Sequence, residues 1–121
     1  MEEITIWNKP TCATCRDAMG LLKKEKIKVC DFHYLEEKIS RKELKRVLKL
    51  LGIKAFDLIR QKEHLFKEKY LALSVSNKPP TNEEWIDILI QNPILIERPI
   101  IIKGNKAVIG RPPEKMFEII K

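Results

Sequence analysis

The sequence is short of the residues from which metal sites are built. It has three cysteines and two histidines among 121 residues. Zinc usually needs four such ligands, arranged as two close pairs. Cys12 and Cys15 form one pair, but Cys30, His33 and His64 supply no second pair with the right spacing. We therefore expect no metal site.

Long apolar runs are also missing, so no segment is expected to span a membrane. The chain begins with Met1-Glu2-Glu3, which is acidic where a secretion signal would be basic. A chain with three cysteines and no export signal is expected in the cytoplasm, where thiols stay mostly reduced.

Charge of one sign is in excess: 24 Lys and Arg against 17 Asp and Glu give a formal net charge of +7. This excess suits anionic ligands or acidic partners, or it forms a solvated lysine-rich surface. Aromatic residues make up only 7% of the chain. Neither an aromatic platform nor a helix-turn-helix pattern accompanies the basic charge, so we expect no direct binding to nucleic acid.

The chain does contain a regular alternation of elements. Its length suits one domain, and its hydrophobic fraction of 44% is enough for a core. Period-2 and helical spacing of apolar residues predict strands at the start and the end, with helices between. The predicted strands are 3–7, 28–32, 99–103 and 106–109, and the predicted helices include 13–24, 55–60, 66–73 and 113–120.

Capping boxes and turn residues mark the predicted boundaries. The order is β-α-β, a helical insertion at about 40–92, and β-β-α. This order predicts an α/β thioredoxin-like fold with a mixed sheet, in a single domain spanning 1–121. The boundary signals are the capping boxes Ser40/Glu43 and Thr81/Glu84, the helix-ending Gly52, and the hairpin turn Gly104-Asn105.

The chemistry-bearing cluster is NKPTCATCRDA at residues 8–18. Cys12 lies between the first strand and the first helix, where the free N–H groups of the first helical turn favour a thiolate. Arg16 adds a positive charge that favours the same state. Cys15 follows one helical turn later, close enough for a disulfide. The pair indicates reactive thiol chemistry, with two small buried structural residues as the alternative.

Three arginines lie beside apolar segments. Arg60 ends FDLIR, Arg98 lies within ILIERPIII, and Arg111 follows a strand in VIGRPPE. A guanidinium is planar, always charged and able to grip an oxyanion with two N–H groups. With a thiolate, these arginines suggest an oxyanion clamp, although each one alone is equally explained by a salt bridge.

The chain resembles the glutaredoxin-coupled arsenate reductase family over essentially its whole length. The resemblance rests on ITIWNKPTCATCR, on LIR at Arg60, and on PILIERPIIIKGNKAVIGRPPE. It implies that Cys12 attacks arsenate and that Arg60, Arg98 and Arg111 hold its oxygens. It also implies a cis peptide bond before Pro99. Glutathione is the implied co-substrate, glutaredoxin the recycling partner, and arsenite the product.

Two positions depart from that family's pattern. Asn8 stands where members often carry histidine, so thiolate activation would depend on the helix terminus, Arg16 and Lys9. Cys15 replaces a small polar residue and makes CATCR similar to the Spx regulators. That similarity implies a disulfide switch and binding to RNA polymerase. As a resolving thiol, Cys15 would instead suit thioredoxin. Spx-like chains usually lack a counterpart of Arg111, which favours the reductase.

A third interpretation is a module that binds small oxyanions or glutathione without turnover. Cys30 is expected to be a buried core residue. His33 and His64 are expected to lie at the surface or to pack, and not to take part in catalysis.

Overall fold

The computed structural model describes residues 4–9, 12–34 and 38–120, which belong to two compact units. One unit comprises Met1–Lys38 and Arg98–Lys121, and the other comprises Ile39–Glu97. Glu3 of the first predicted strand and Pro10-Thr11 of the predicted loop lie outside the described residues. A single domain over the whole chain stays a prediction.

The first unit contains a four-stranded mixed sheet in the order β2-β1-β3-β4. β1 and β2 run parallel, whereas β3 is antiparallel to both β1 and β4. The predicted α/β thioredoxin-like fold is confirmed by this arrangement. For two strands the predicted start, at 28 and at 99, is one residue earlier than the start in the structure, at Val29 and Ile100. The strands are β1 (Ile4–Trp7), β2 (Val29–Phe32), β3 (Ile100–Lys103) and β4 (Lys106–Ile109).

The helix α1 (Ala13–Lys24) connects β1 to β2 and has the predicted bounds. Parallel strands need such a crossover, because a tight turn cannot reverse the chain between them. Ala18 and Leu22 lie on the buried side of α1, four residues apart. They share a core cluster with Ile6 and Ile101, so α1 is packed against the sheet.

The last part of the unit is a hairpin followed by a short helical segment. Gly104 has φ +59°, which suits the predicted turn between β3 and β4. The predicted helix 113–120 is a 3-10 turn, Pro113–Met116, followed by α5 (Phe117–Ile120). The segment starts as the tighter turn, in which the Lys115 N–H bonds the carbonyl oxygen of Pro112 three residues back.

The second unit is mainly helical. The Ser40 hydroxyl accepts a hydrogen bond from the Glu43 N–H at 3.1 Å, and Thr81 and Glu84 form a reciprocal capping box. Gly52, with φ +70°, ends the first helix as predicted. The helices of this unit are α2 (Arg41–Leu51), α3 (Leu71–Ser74) and α4 (Asn82–Gln91).

Two helices predicted for this unit have a different form. The segment 55–60 is a 3-10 turn, Ala55–Leu58, because Ile59 leaves it to form an antiparallel bridge with Ile96. The segment 66–73 begins as a π-helical turn, Phe66–Tyr70, and continues as α3. In the part of the chain that the structure describes, no helix combines the length and apolar character needed to cross a bilayer.

Gly110 is closely packed against Pro99 and Ile101 in the first unit. Its N–H donates to the Pro99 carbonyl oxygen at 2.8 Å. An added Cβ would lie 2.7 Å from Ile101 Cδ1 and 3.0 Å from Pro99 Cγ. Ile101 is fully buried and proline is rigid, so neither atom can move easily. We expect Gly110→Ala to lower the free energy of unfolding by about 1–3 kcal/mol, measured by urea denaturation.

Gly20 provides the matched control, because it is exposed within α1 and an added Cβ meets nothing within 4 Å. Gly20→Ala should raise the free energy of unfolding by about 0.5–1 kcal/mol through helix propensity. A Gly110→Ala protein as stable as the wild type would contradict the close packing at Pro99.

Candidate active site

Cys12 is the N-cap residue of α1 and has an extended backbone. Its N–H donates to the Lys9 carbonyl oxygen at 2.9 Å, and its own carbonyl oxygen accepts from the Arg16 N–H at 3.0 Å. The thiol is half-buried. The loop after β1 therefore holds the sulfur at the positive end of a helix, where an anion is stabilised.

The pKa of the Cys12 thiol is lower than its ordinary value. Burial alone raises this pKa, but the N–H and thiol of Cys15 and the Arg98 guanidinium lower it by more. Cys15 lies in the first turn of α1, so its N–H belongs to the helix end that favours the thiolate. The surroundings of Cys12 therefore favour the thiolate.

Cys15 has the opposite character. Its side chain is fully buried, and burial together with the neighbouring Cys12 raises the pKa of its thiol to about 11. It therefore stays protonated near neutral pH and can donate its S–H to the Cys12 thiolate. Both cysteines are free thiols in this structure.

Two arginines approach the Cys12 sulfur. Arg111 Nη2 lies 3.7 Å from Cys12 Sγ, and Arg111 Nε donates to the Arg98 carbonyl oxygen at 2.7 Å. Arg98 is 5% exposed, and its guanidinium also hydrogen-bonds Cys12. Two fixed guanidinium groups beside one sulfur can stabilise a thiolate and a second anion bonded to it.

Tyr34 is a further residue at this site, and it is not among the site residues predicted from the sequence. Its hydroxyl accepts a hydrogen bond from Arg98 Nη1 at 3.4 Å. Burial lowers the pKa of Arg98, but contacts with Tyr34 and Cys12 raise it above the ordinary value. The sequence feature that points to Tyr34 is its position just after β2. A strand parallel to β1 ends at the same sheet edge as the Cys12 loop.

Asn8 lies just after β1 and is held in a fixed orientation. It is 5% exposed, and its Nδ2 donates to Asp31 Oδ1 at 3.0 Å. The other Asp31 oxygen lies 3.0 Å from His33 Nε2. Within residues 4–9, 12–34 and 38–120, Asn8 Oδ1 has no hydrogen-bond partner. Asn8 therefore presents an amide oxygen as a buried acceptor.

The remaining predicted site residues have different surroundings. Arg16 is exposed on α1, and its role in activating the thiolate stays a prediction. The Arg98-Pro99 and Arg111-Pro112 peptide bonds are both cis. Arg60 belongs to the second unit, where its Nε lies 3.4 Å from Glu97 Oε1. The first unit thus brings together Cys12, Cys15, Arg98 and Arg111.

The prediction that Cys30 is buried is wrong, because Cys30 is exposed. It lies on β2, an edge strand that only β1 covers on one side. His33 is half-buried, and the exposed His64 lies 2.7 Å from Glu68 Oε1. In the described part of the chain, no group of three or more His, Cys, Asp or Glu side chains could hold a metal ion.

A model of the ArsC family matches residues 7–119, which include all of these site residues. The chain belongs to the ArsC family. The arsenate reductase of Haemophilus influenzae is 36% identical over 117 residues, covering 97% of this chain and 98% of that protein. An uncharacterised protein of Escherichia coli K12, YfgD, is 37% identical over 120 residues, covering 98% of each chain.

ArsC structures share the fold as well. The solved structure of an arsenate reductase from Vibrio cholerae superposes with a TM-score of 0.89 at 34% identity, covering 98% of each chain. ArsC relatives named arsenate reductase support an oxidoreductase role for this chain.

Alkylation tests the contrast between the two ArsC-site cysteines. A lowered pKa leaves Cys12 ionised at pH values where a free thiol is protonated, so Cys12 should react with iodoacetamide at lower pH than glutathione does. Cys15 should react slowest, because its pKa is about 11 and its side chain is buried. Mass spectrometry of labelled peptides against pH measures both rates. Faster labelling of Cys15 than of Cys12 would contradict the predicted order of the two pKa values.

Proposed function

We propose that this chain reduces arsenate to arsenite, with Cys12 as the nucleophile. The observation that supports the proposal is the Cys12 thiol of lowered pKa, with Arg111 Nη2 3.7 Å from its sulfur and Arg98 hydrogen-bonded to it. A thiolate is the reactive form of cysteine, and guanidinium groups beside it suit a tetrahedral oxyanion. The relatives named arsenate reductase favour arsenate among such anions.

In the first step the Cys12 thiolate attacks As(V). A sulfur–arsenic bond forms, one arsenic–oxygen bond breaks, and that oxygen leaves as water after protonation. Arg98 and Arg111 offset the negative charge on the remaining oxygens. The family resemblance also assigns Arg60 to oxyanion binding, and this role stays a prediction; among the described residues its Nη1 is buried without a hydrogen-bond partner, so it has an N–H group to donate.

The second half of the reaction needs two electrons, which two thiols supply by becoming a disulfide. In the glutathione route, the glutathione thiolate attacks the Cys12 sulfur of the adduct, the electron pair of the sulfur–arsenic bond stays on arsenic, and arsenite leaves. The product is a mixed disulfide between Cys12 and glutathione, which glutaredoxin reduces to restore the Cys12 thiol. No bound cofactor is needed. Glutathione and glutaredoxin or thioredoxin are the partners that we propose, in the cytoplasm.

Cys15 offers a route without glutathione. Its sulfur attacks Cys12, the electron pair of the sulfur–arsenic bond remains on arsenic as As(III), and arsenite leaves. The product is a Cys12–Cys15 disulfide, which thioredoxin would reduce. The Cys12 thiolate helps to raise the pKa of Cys15, so that pKa should fall when arsenic neutralises Cys12.

The contact between Cys12 and Cys15 also favours a second candidate function. An Spx-like regulator would use their disulfide as a switch that controls a surface for RNA polymerase. Arg111 distinguishes the two functions. Its guanidinium contacts the Cys12 sulfur, where it can bind an oxyanion, whereas a disulfide switch needs no such contact.

Arsenite formation by the pure protein, with glutathione plus glutaredoxin or with thioredoxin, tests the reductase. Cys12→Ser should abolish turnover, because a serine hydroxyl is far too basic to replace a thiolate. Arg111→Lys should be slower than the wild type, since it keeps the charge but loses the planar group. Arg111→Ala should lose about 30- to 1,000-fold, equivalent to about 2–4 kcal/mol.

Arg46→Ala is the matched control, because Arg46 is exposed on α2 and should be dispensable. Circular dichroism confirms that each variant is folded. Wild-type turnover by Cys12→Ser or by Arg111→Ala would overturn the assignment of these residues. A wild type without arsenate turnover that binds RNA polymerase would instead establish the regulator.

The role of Cys15 is tested through the electron donor. Mild oxidation should give a Cys12–Cys15 disulfide by peptide mapping. Cys15→Ser should keep turnover with glutaredoxin and lose any turnover with thioredoxin, because the intramolecular disulfide can no longer form. Cys30→Ser is the control, since Cys30 is exposed on β2. Equal loss with both donors would show that Cys15 is structural.

A further inference from the structure

Tyr34 occupies a fixed position beside the end of the sheet. Its side chain is fully buried, and its ring stacks on Trp7 with 6.2 Å between centroids and 28° between planes. Trp7 is 3% exposed and also contacts Phe32 edge-on at 5.6 Å. The last residues of β1 and β2 therefore determine where the Tyr34 hydroxyl lies.

The hydroxyl fixes one nitrogen of a buried cation. Arg98 Nη1 donates to Tyr34 Oη at 3.4 Å, and Arg98 is only 5% exposed. An arginine side chain has many rotamers, so a fixed acceptor reduces the disorder of its guanidinium. A phenol is neutral, unlike a carboxylate, so this contact orients the guanidinium without cancelling its positive charge.

The oriented charge acts on the nucleophile. The Arg98 guanidinium hydrogen-bonds the Cys12 sulfur and favours its ionised state. The Arg98 backbone is held separately, because its carbonyl oxygen accepts from Arg111 Nε at 2.7 Å. Tyr34 and Arg111 thus restrain the two ends of Arg98.

We propose that Tyr34 is a positioning residue that holds the Arg98 guanidinium against Cys12 and thereby keeps this cysteine in its reactive state. The inference rests on the proposed role of Cys12 as the nucleophile, but not on which oxyanion Cys12 attacks.

The test is Tyr34→Phe, which keeps the ring stacked on Trp7 and removes only the hydroxyl. Iodoacetamide labelling of Cys12 against pH should shift to higher pH, with the rate at neutral pH about 3- to 30-fold lower. Arsenate kcat/KM should fall by a similar factor. Tyr70→Phe is the matched control, because the Tyr70 hydroxyl accepts from Asn92 in the second unit and should leave both measurements unchanged.

A double-variant cycle tests whether Tyr34 acts through Arg98. Arg98→Lys should itself shift the labelling profile, and adding Tyr34→Phe should then cause little further change. Independent, additive losses would overturn the inference, and so would a folded Tyr34→Phe with the wild-type profile. Labelling needs no substrate, so a failure of the arsenate assay leaves this test intact. Wild-type arsenate turnover with an unshifted Tyr34→Phe profile would overturn the Tyr34 inference alone.

Discussion

The pairing of β1 with both β2 and β3 is the constraint on which the site depends. The register places Trp7 opposite Phe32 on one side and opposite Ile100 on the other, and Ile100 is in turn opposite Ile109. β1 and β2 end at this edge of the sheet, β3 begins there and β4 ends there. The segments attached to these four strand ends must therefore meet.

Each of those segments carries one part of the site. Cys12 follows β1 and Tyr34 follows β2, while Arg98 precedes β3 and Arg111 follows β4. The site thus consists of residues distant in sequence that are collected by a few backbone hydrogen bonds. Since the sheet supplies the position, each side chain needs only short-range contacts to fix its orientation. Arg98 shows this well, because its side chain contacts Tyr34 and its carbonyl oxygen accepts from Arg111.

The parts that could be predicted from the sequence are those decided locally. The helix Ala13–Lys24, the Thr81 capping box and the Gly104 turn depend on neighbours within a few residues, and each has the predicted form. The helix predicted at 55–60 is shorter, because Ile59 pairs with the distant Ile96. No local pattern contains that information.

The site likewise contains residues that the local sequence indicates and residues that depend on the order of the strands. Cys12 could be recognised from its place before a helix. The place of Tyr34 after β2 indicates only the edge of the sheet, because its contact with Arg98 also depends on which strands are neighbours. The wrong expectation for Cys30 has the same cause. An apolar residue on a short strand is buried or exposed according to the position of that strand in the sheet, and β2 lies at its edge.

The unequal ionisation of Cys12 and Cys15 has a consequence for the stoichiometry of oxidation. The pKa of Cys12 is lowered and that of Cys15 is about 11. At pH values between these two pKa values, the reduced pair therefore carries a single proton, on Cys15. Forming a disulfide would then release two electrons but only one proton. The midpoint potential of such a pair would change by about 30 mV per pH unit, half the slope of a pair of protonated thiols. The environment of two sulfurs would thus make the oxidation state of this protein less sensitive to the pH around it.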